Sequence, residues 1–217
     1  IGVHVLGHPV IAMTRDKAGK LTGVGSGQRE SLMHLEIDRQ SQAAMAAITD
    51  DLRQVLDDLR AIVADWEPMQ DRMREVAEEL GTRKLPLSDE GRREAQEFLR
   101  WAANDHFTFL GYREYKVVKQ GKDEVLVADE DSGMGLLRGK DGGKPRLLKS
   151  LAAHYMPHSG SVDALILTKT NARSTVHRPG YMDYIGVLGF DTKGRPTSEQ
   201  RFLGLYTSSA YNRRPWD

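Results

Sequence analysis

Between Leu167 and Val187 the sequence reads LTKTNARSTVHRPGYMDYIGV. Lys169, Arg173, His177 and Arg178 pass before the first acid, Asp183. Arg forks grip carboxylates and phosphates through paired hydrogen bonds, and Lys adds a point charge. Loops at strand ends are where binding groups usually sit. The residues alone leave three readings open: a pocket for a carboxylate or phosphate, a loop that pairs with an acidic helix elsewhere in the chain, and a solvated turn. Ser174, Thr175 and His177 are close in sequence, but a nucleophile needs a base within hydrogen-bond reach. No nucleophile-elbow pattern accompanies them, so no catalytic residue is expected.

Other chemistry is sparse. GVGSGQ (Gly23 to Gln28) lacks the third glycine of a dinucleotide fingerprint and precedes a strand, so a flexible hairpin is expected there. Gly139–Lys140 lacks the rest of a P-loop. His4 with His8, and His154 with His158, have i, i+4 spacing. Pro9 and Pro157 argue against helices there, so packed or surface histidines are expected and no metal site. His34 and Glu36 share a strand face and suggest a local ion pair. Phe107 and Phe109 share another, which reads as core rather than a base-stacking platform.

Composition narrows the classes further. The 217 residues are 39% hydrophobic and 29% charged, ordinary values for a globular chain. Lys plus Arg is 31 and Asp plus Glu is 31, so no overall field favours nucleic acid or an anionic membrane. Cysteine is absent, which removes disulfides, thiolate metal sites and Cys nucleophiles and fits a reducing cytoplasm. No apolar run approaches the roughly 20 residues that span a bilayer. The chain starts at Ile1 in a β-like apolar run, without Met or a signal segment, and reads as a piece of a longer protein.

The elements that must hold the basic stretch follow from periodicity. IGVHVLGHPVIAMTRD reads as one or two strands with a bend at Gly7 and Pro9. KAGKLTGVGSGQ reads as turn-rich. Met33, Leu35 and Ile37 alternate as a half-buried strand. Ile48, Leu52, Val55, Leu56, Leu59, Val63 and Trp66 predict a long helix with this stripe toward the core and Asp50, Asp57 and Asp58 toward solvent. Pro68 should end or kink it. Met69, Met73, Val76 and Leu80 predict a second helix stopping at Gly81, and Ser88 should cap a third over Ala95, Phe98, Leu99 and Ala102. Five strands then follow: FTFLGYREYKVV, EVLVAD, VDALILTKT, YIGVLGFD and RFLGLYTSS. With Gly-rich turns between several of them, they suggest an antiparallel sheet. Residues 1–105 carry a net charge of −5 and residues 106–217 one of +5, which supports two modules.

NDHFTFLGYREY, LTKTNARSTVHRPGYMDYIGV and RFLGLYTSSAYNR resemble the N-terminal region of the large bacterial NAD-specific glutamate dehydrogenases, as does ESLMHLEIDRQ with the acidic helix after it. The resemblance covers essentially the whole chain. It implies an α+β fold: a partial ACT-like, ferredoxin-like sandwich over residues 1–66, a helical connector over 67–105, and an antiparallel-sheet PAS-like module over 106–217. An ACT module is a βαββαβ sandwich, and residues 1–66 match its second half. The resemblance further implies a cytoplasmic, homo-oligomeric parent enzyme that uses NAD. Its catalytic domain lies outside this chain, so no catalytic or cofactor-binding residue is expected here. A small amino-acid or carboxylate effector and the other domains of the same polypeptide are the implied partners, with no nucleic acid or membrane. Lys169, Arg173, His177 and Arg178 are the candidate effector contacts.

Overall fold

The computed structural model describes residues 3–82, 87–140, 144–148 and 163–211. They divide into two units, Ile1–Asp51 and Leu52–Asp217. His154 and His158 lie outside the described residues.

In the first unit the bend expected near Gly7 and Pro9 separates two strands, β1 (Val3–Gly7) and β2 (Val10–Arg15). β1 pairs antiparallel with β5 (His34–Ile37), with Val5 opposite Leu35 and His4 opposite Glu36. The i, i+4 histidine pair therefore begins in a strand, as Pro9 suggested. Among the described residues no ion pair joins His34 to Glu36, which corrects that expectation: across the ladder the partner of Glu36 is His4. β2 lies between β3 (Leu21–Val24) and β4 (Gln28–Ser31). KAGKLTGVGSGQ thus contains a strand as well as turns. GVGSGQ is not a hairpin but a link between strands on opposite sides of β2. Gly27 makes the link possible: its φ is +103°, and a Cβ there would stand 2.3 Å from the Met13 carbonyl oxygen. Arg15 clamps Glu30 with two hydrogen bonds of 2.7 and 2.6 Å across this sheet.

Helix α1 (Gln42–Thr82) crosses the division between the units. At 1.5 Å per residue its 41 residues reach about 60 Å. Of the two outcomes expected at Pro68, an end to the helix is excluded, because Pro68 lies inside it. Met69, Met73, Val76, Ala77 and Leu80 are all nearly fully buried just beyond, and that packing holds the helical path despite the lost hydrogen bond. The polarity of the middle turns departs in part from expectation, although Asp50 and Asp57 face solvent and Val55 packs against the core as expected. Leu52, Leu56, Leu59, Val63 and Trp66 are 42–60% exposed, while Asp58 and Asp65 are buried. The two acids face inward because they hold loops. Thr175 Oγ1 donates to Asp58 Oδ2 at 2.9 Å. Gly135 N and Arg138 Nε donate to Asp65 Oδ2 at 2.7 and 2.8 Å.

Helix α2 (Asp89–Trp101) starts as expected: Ser88 Oγ accepts the Gly91 N–H at 3.0 Å, with Asp89 and Glu90 in the first turn. The five expected strands all form: β6 (Phe107–Gln120), β7 (Asp123–Ala128), β10 (Leu165–Arg173), β11 (Tyr181–Phe190) and β12 (Pro196–Tyr206). Two short ones, β8 (Met134–Gly135) and β9 (Arg146–Leu147), complete an antiparallel sheet of order β10-β11-β12-β6-β7-β9, with β8 beside β6. One sheet face meets the helices: Met69, Met73, Leu99, Phe109, Ile185 and Phe202 share a core. Half-buried Arg72 bolts α1 to β6 through Tyr112 Oη at 3.1 Å and Glu114 Oε1 at 3.3 Å. Alternation along the strands sends Tyr115, Tyr184, Leu188 and Leu203 to the opposite face, where they form a second cluster.

Candidate functional site

The basic stretch forms the end of β10, the loop after it and the start of β11. Its register shifts on the way. Lys169 faces Asp183 but Arg173 faces Tyr181, so β10 carries two extra residues. Thr170 closes this bulge: its Oγ1 donates to the Ala172 carbonyl at 2.9 Å and accepts the Ala172 N–H at 3.2 Å. Bulges re-aim side chains at strand ends. Here Lys169, Thr170, Asn171, Arg178, Gly180 and Tyr181 surround an open depression of about 560 Å³.

The four expected cations are all exposed but not equivalent. Lys169 Nζ lies 2.5 Å from Oδ1 of buried Asp183, whose Oδ2 accepts the Tyr206 N–H at 3.2 Å. Much of the Lys169 charge is therefore committed inside the fold. Burial and the same Asp183 charge push the Tyr206 hydroxyl well above its usual pKa. The Arg173 guanidinium sits 4.9 Å from the Tyr181 ring centre. Arg178 Nη2 donates to the Tyr206 carbonyl at 2.9 Å. His177 takes φ +65° on the loop and does not line the depression. The structure thus brings Lys169 and Arg178 together, sets Arg173 on a tyrosine of the same rim, and leaves His177 aside. Ser174 Oγ is spent on Val176 N–H and C=O, and Thr175 on Asp58, so Ser174, Thr175 and His177 form no nucleophile–base pair. The loop does meet the acidic helix, but through the Thr175 hydroxyl rather than through a cation.

Sequence reasoning missed a second polar group on the neighbouring sheet face. Glu199 is fully buried and Arg201 is 8% exposed, both on β12 and on the face turned from the helices. Arg201 Nε and Nη2 donate to the two Glu199 oxygens at 3.1 Å each. Arg201 Nε also donates to Tyr184 Oη at 3.1 Å, and the Tyr184 hydroxyl donates in turn to Glu199. The guanidinium lies 3.8 Å from the centre of the Tyr115 ring. Its signal was in EQRFL, two opposite charges spaced i, i+2 inside an apolar strand. Among the described residues no group of three or more His, Asp or Glu could hold a metal ion, and no helix is long and apolar enough to cross a membrane.

Residues 1–52 match the family model of the glutamate dehydrogenase ACT1 domain. The chain is 36% identical over 218 residues to the NAD-specific glutamate dehydrogenase of Pseudomonas aeruginosa, a match covering 97% of this chain and 14% of that protein. It is 35% identical over 226 residues to the Halomonas elongata enzyme of the same name, again over 14% of the relative. The Mycobacterium tuberculosis enzyme is 26% identical over 213 residues, 12% of its length. The chain spans about one-seventh of the curated relatives it matches.

Proposed function

We infer that this chain, similar nearly end to end to a stretch of the NAD-specific glutamate dehydrogenases, is a non-catalytic regulatory and assembly segment of such an enzyme. The parent converts L-glutamate, NAD and water to 2-oxoglutarate, ammonia and NADH in the cytoplasm, with NAD bound by domains outside this chain. The observation that carries the reading is the ACT1 match over residues 1–52, with similarity continuing through the remaining residues. Within it, residues 1–66 are a partial ACT-like module, 67–105 a helical connector and 106–217 a PAS-like module. The depression at Lys169, Arg173 and Arg178, with His177 on the adjoining loop, takes a small amino-acid or carboxylate effector. Binding there biases the catalytic domain by the 1–3 kcal/mol typical of allosteric coupling.

A thermal-shift screen of the chain against amino acids and small carboxylates tests this. A ligand of the folded state at 100 times its Kd adds about 2.7 kcal/mol, a rise of several degrees. Arg178→Ala should abolish the rise. A flat screen, or a hit indifferent to both Arg173→Ala and Arg178→Ala, removes the effector from this site.

A second reading has its own observation. Leu52, Leu56, Leu59, Val63 and Trp66 repeat at alternating spacings of four and three on an exposed helix face, the pattern of a helix–helix seam. A purely structural segment would use that face to assemble a homo-oligomer. Concentration-dependent sedimentation of the chain supports this reading, and a monomer at every concentration opposes it.

A further inference from the structure

The Glu199–Arg201 pair has no obvious claim to its place. Buried ion pairs are seldom net stabilising, and apolar residues of similar size often do as well. What distinguishes this pair is the nitrogen it leaves over. Glu199 and Tyr184 occupy Nε and Nη2 of Arg201, whereas Nη1 has no partner among the described residues. Arg201 also lines a cavity of about 430 Å³ on this sheet face, a volume within the range of small-molecule sites. The guanidinium is held in advance by the Tyr115 ring below it and by Glu199 beside it, so a ligand would meet a donor already oriented. Gly186 keeps the arrangement open. It faces Arg201 across the ladder, and a Cβ there would stand 2.9 Å from the Tyr184 ring and 3.1 Å from Glu199 Oε1.

The remaining walls define the ligand. Arg146 and Lys169 supply further cations, the Lys169 charge being largely committed to Asp183, and no Asp or Glu lines the cavity among the described residues. Such a lining favours an anion and gives an ammonium group no charged acceptor. Thr168 offers a hydroxyl, and Ile166 and Leu203 offer apolar wall. We propose that this cavity binds a small organic carboxylate lacking an ammonium group and carrying a short apolar body, such as a branched 2-oxo acid. Its carboxylate lies between Arg201 Nη1 and Arg146. The proposal goes beyond the regulatory reading: the cavity shares Lys169, Thr170 and Asn171 with the hairpin depression, but the proposed contacts are Arg201 and Arg146 and not Arg173, His177 or Arg178.

Isothermal titration calorimetry of the 217-residue chain with 4-methyl-2-oxopentanoate and with leucine tests it, since the two share a carbon skeleton. The oxo acid should give saturable heat, with leucine at least about tenfold weaker. Arg146→Gln, at an exposed position, should weaken oxo-acid binding by about tenfold without lowering the Tm. Thr168→Phe should fill the cavity and abolish binding. Arg178→Ala should leave the oxo acid unaffected, which separates this site from the hairpin depression. No saturable oxo-acid heat up to about 10 mM would overturn the proposal. Equal binding of leucine, binding unchanged in both cavity variants, or binding lost with Arg178→Ala would each do the same.

Discussion

Lys169 and Arg178 look interchangeable in the sequence and are not interchangeable in the fold. Lys169 neutralises Asp183, whose side chain is only 5% exposed, so Lys169→Ala strands a buried carboxylate. We expect a loss of about 1–3 kcal/mol, read as a lower midpoint in urea unfolding. Arg178→Ala frees one carbonyl at an exposed site and should cost no more than about 0.5–1.5 kcal/mol. Arg178 is therefore the cleaner probe of effector binding. Asp65 gives a pH prediction. Burial raises its pKa, but the hydrogen bonds from Arg138 and Gly135 N–H outweigh that and hold it below the ordinary carboxylate value. A depressed folded-state pKa means that the stabilisation is complete above about pH 4, the unfolded value, and disappears as pH falls through the folded one. Asp65→Asn should therefore flatten the acid limb of a Tm-against-pH curve. An unchanged limb would show that Asp65 does not drive it.

At the scale of elements, the sequence was legible wherever one period ran without competition. The Ser88 cap, the Ala95–Leu99 stripe and five strands were readable because local spacing alone defines them. The rest depended on contacts distant in sequence. Nothing near Pro68 announces that Met69 and Met73 will be buried against Phe109 and Phe202, and only that packing explains an unbroken helix. Asp58 reads as solvated until Thr175 arrives from more than 100 residues away, and nothing in the spacing marks Asp65 as the partner of Gly135. β8 and β9, two residues each, are too short for any periodicity. Strand order was closed to the sequence for the same reason. Of the candidate site, the cations were visible but their commitments to Asp183 and Tyr206 were not. One element-level prediction follows from α1. Pro68 is exposed and breaks one backbone hydrogen bond, so Pro68→Ala should stabilise the chain by about 1–3 kcal/mol in urea unfolding. A loss instead would mean that the core is fitted to a bend at that position.

At the scale of the whole molecule, the partly reversed polarity of α1 becomes a question of association. Contiguous exposed apolar side chains generally mark a contact surface. If the helix face carries assembly, Leu59→Glu should shift the chain to monomer in sedimentation while leaving its helix content intact, because Leu59 is 42% exposed. An unchanged sedimentation profile would place assembly elsewhere.

The buried group on β12 has a consequence for how the sheet finds its alignment. Alternating polarity rejects any slip by one residue, since every side chain would change sides. It is blind to a slip by two, which leaves each residue on its own side. Tyr184 and Tyr115 belong to the two strands flanking β12, and their contacts with Glu199 and Arg201 exist in one alignment only. Displace β12 by two residues and Glu199 keeps Arg201, which shares its strand, but the buried pair loses the Tyr184 hydroxyl on one side or the Tyr115 ring on the other, and a buried polar group left short of a partner is costly. The pair thus works as a vernier for the ladder, ruling out the even-numbered errors that hydrophobicity lets through.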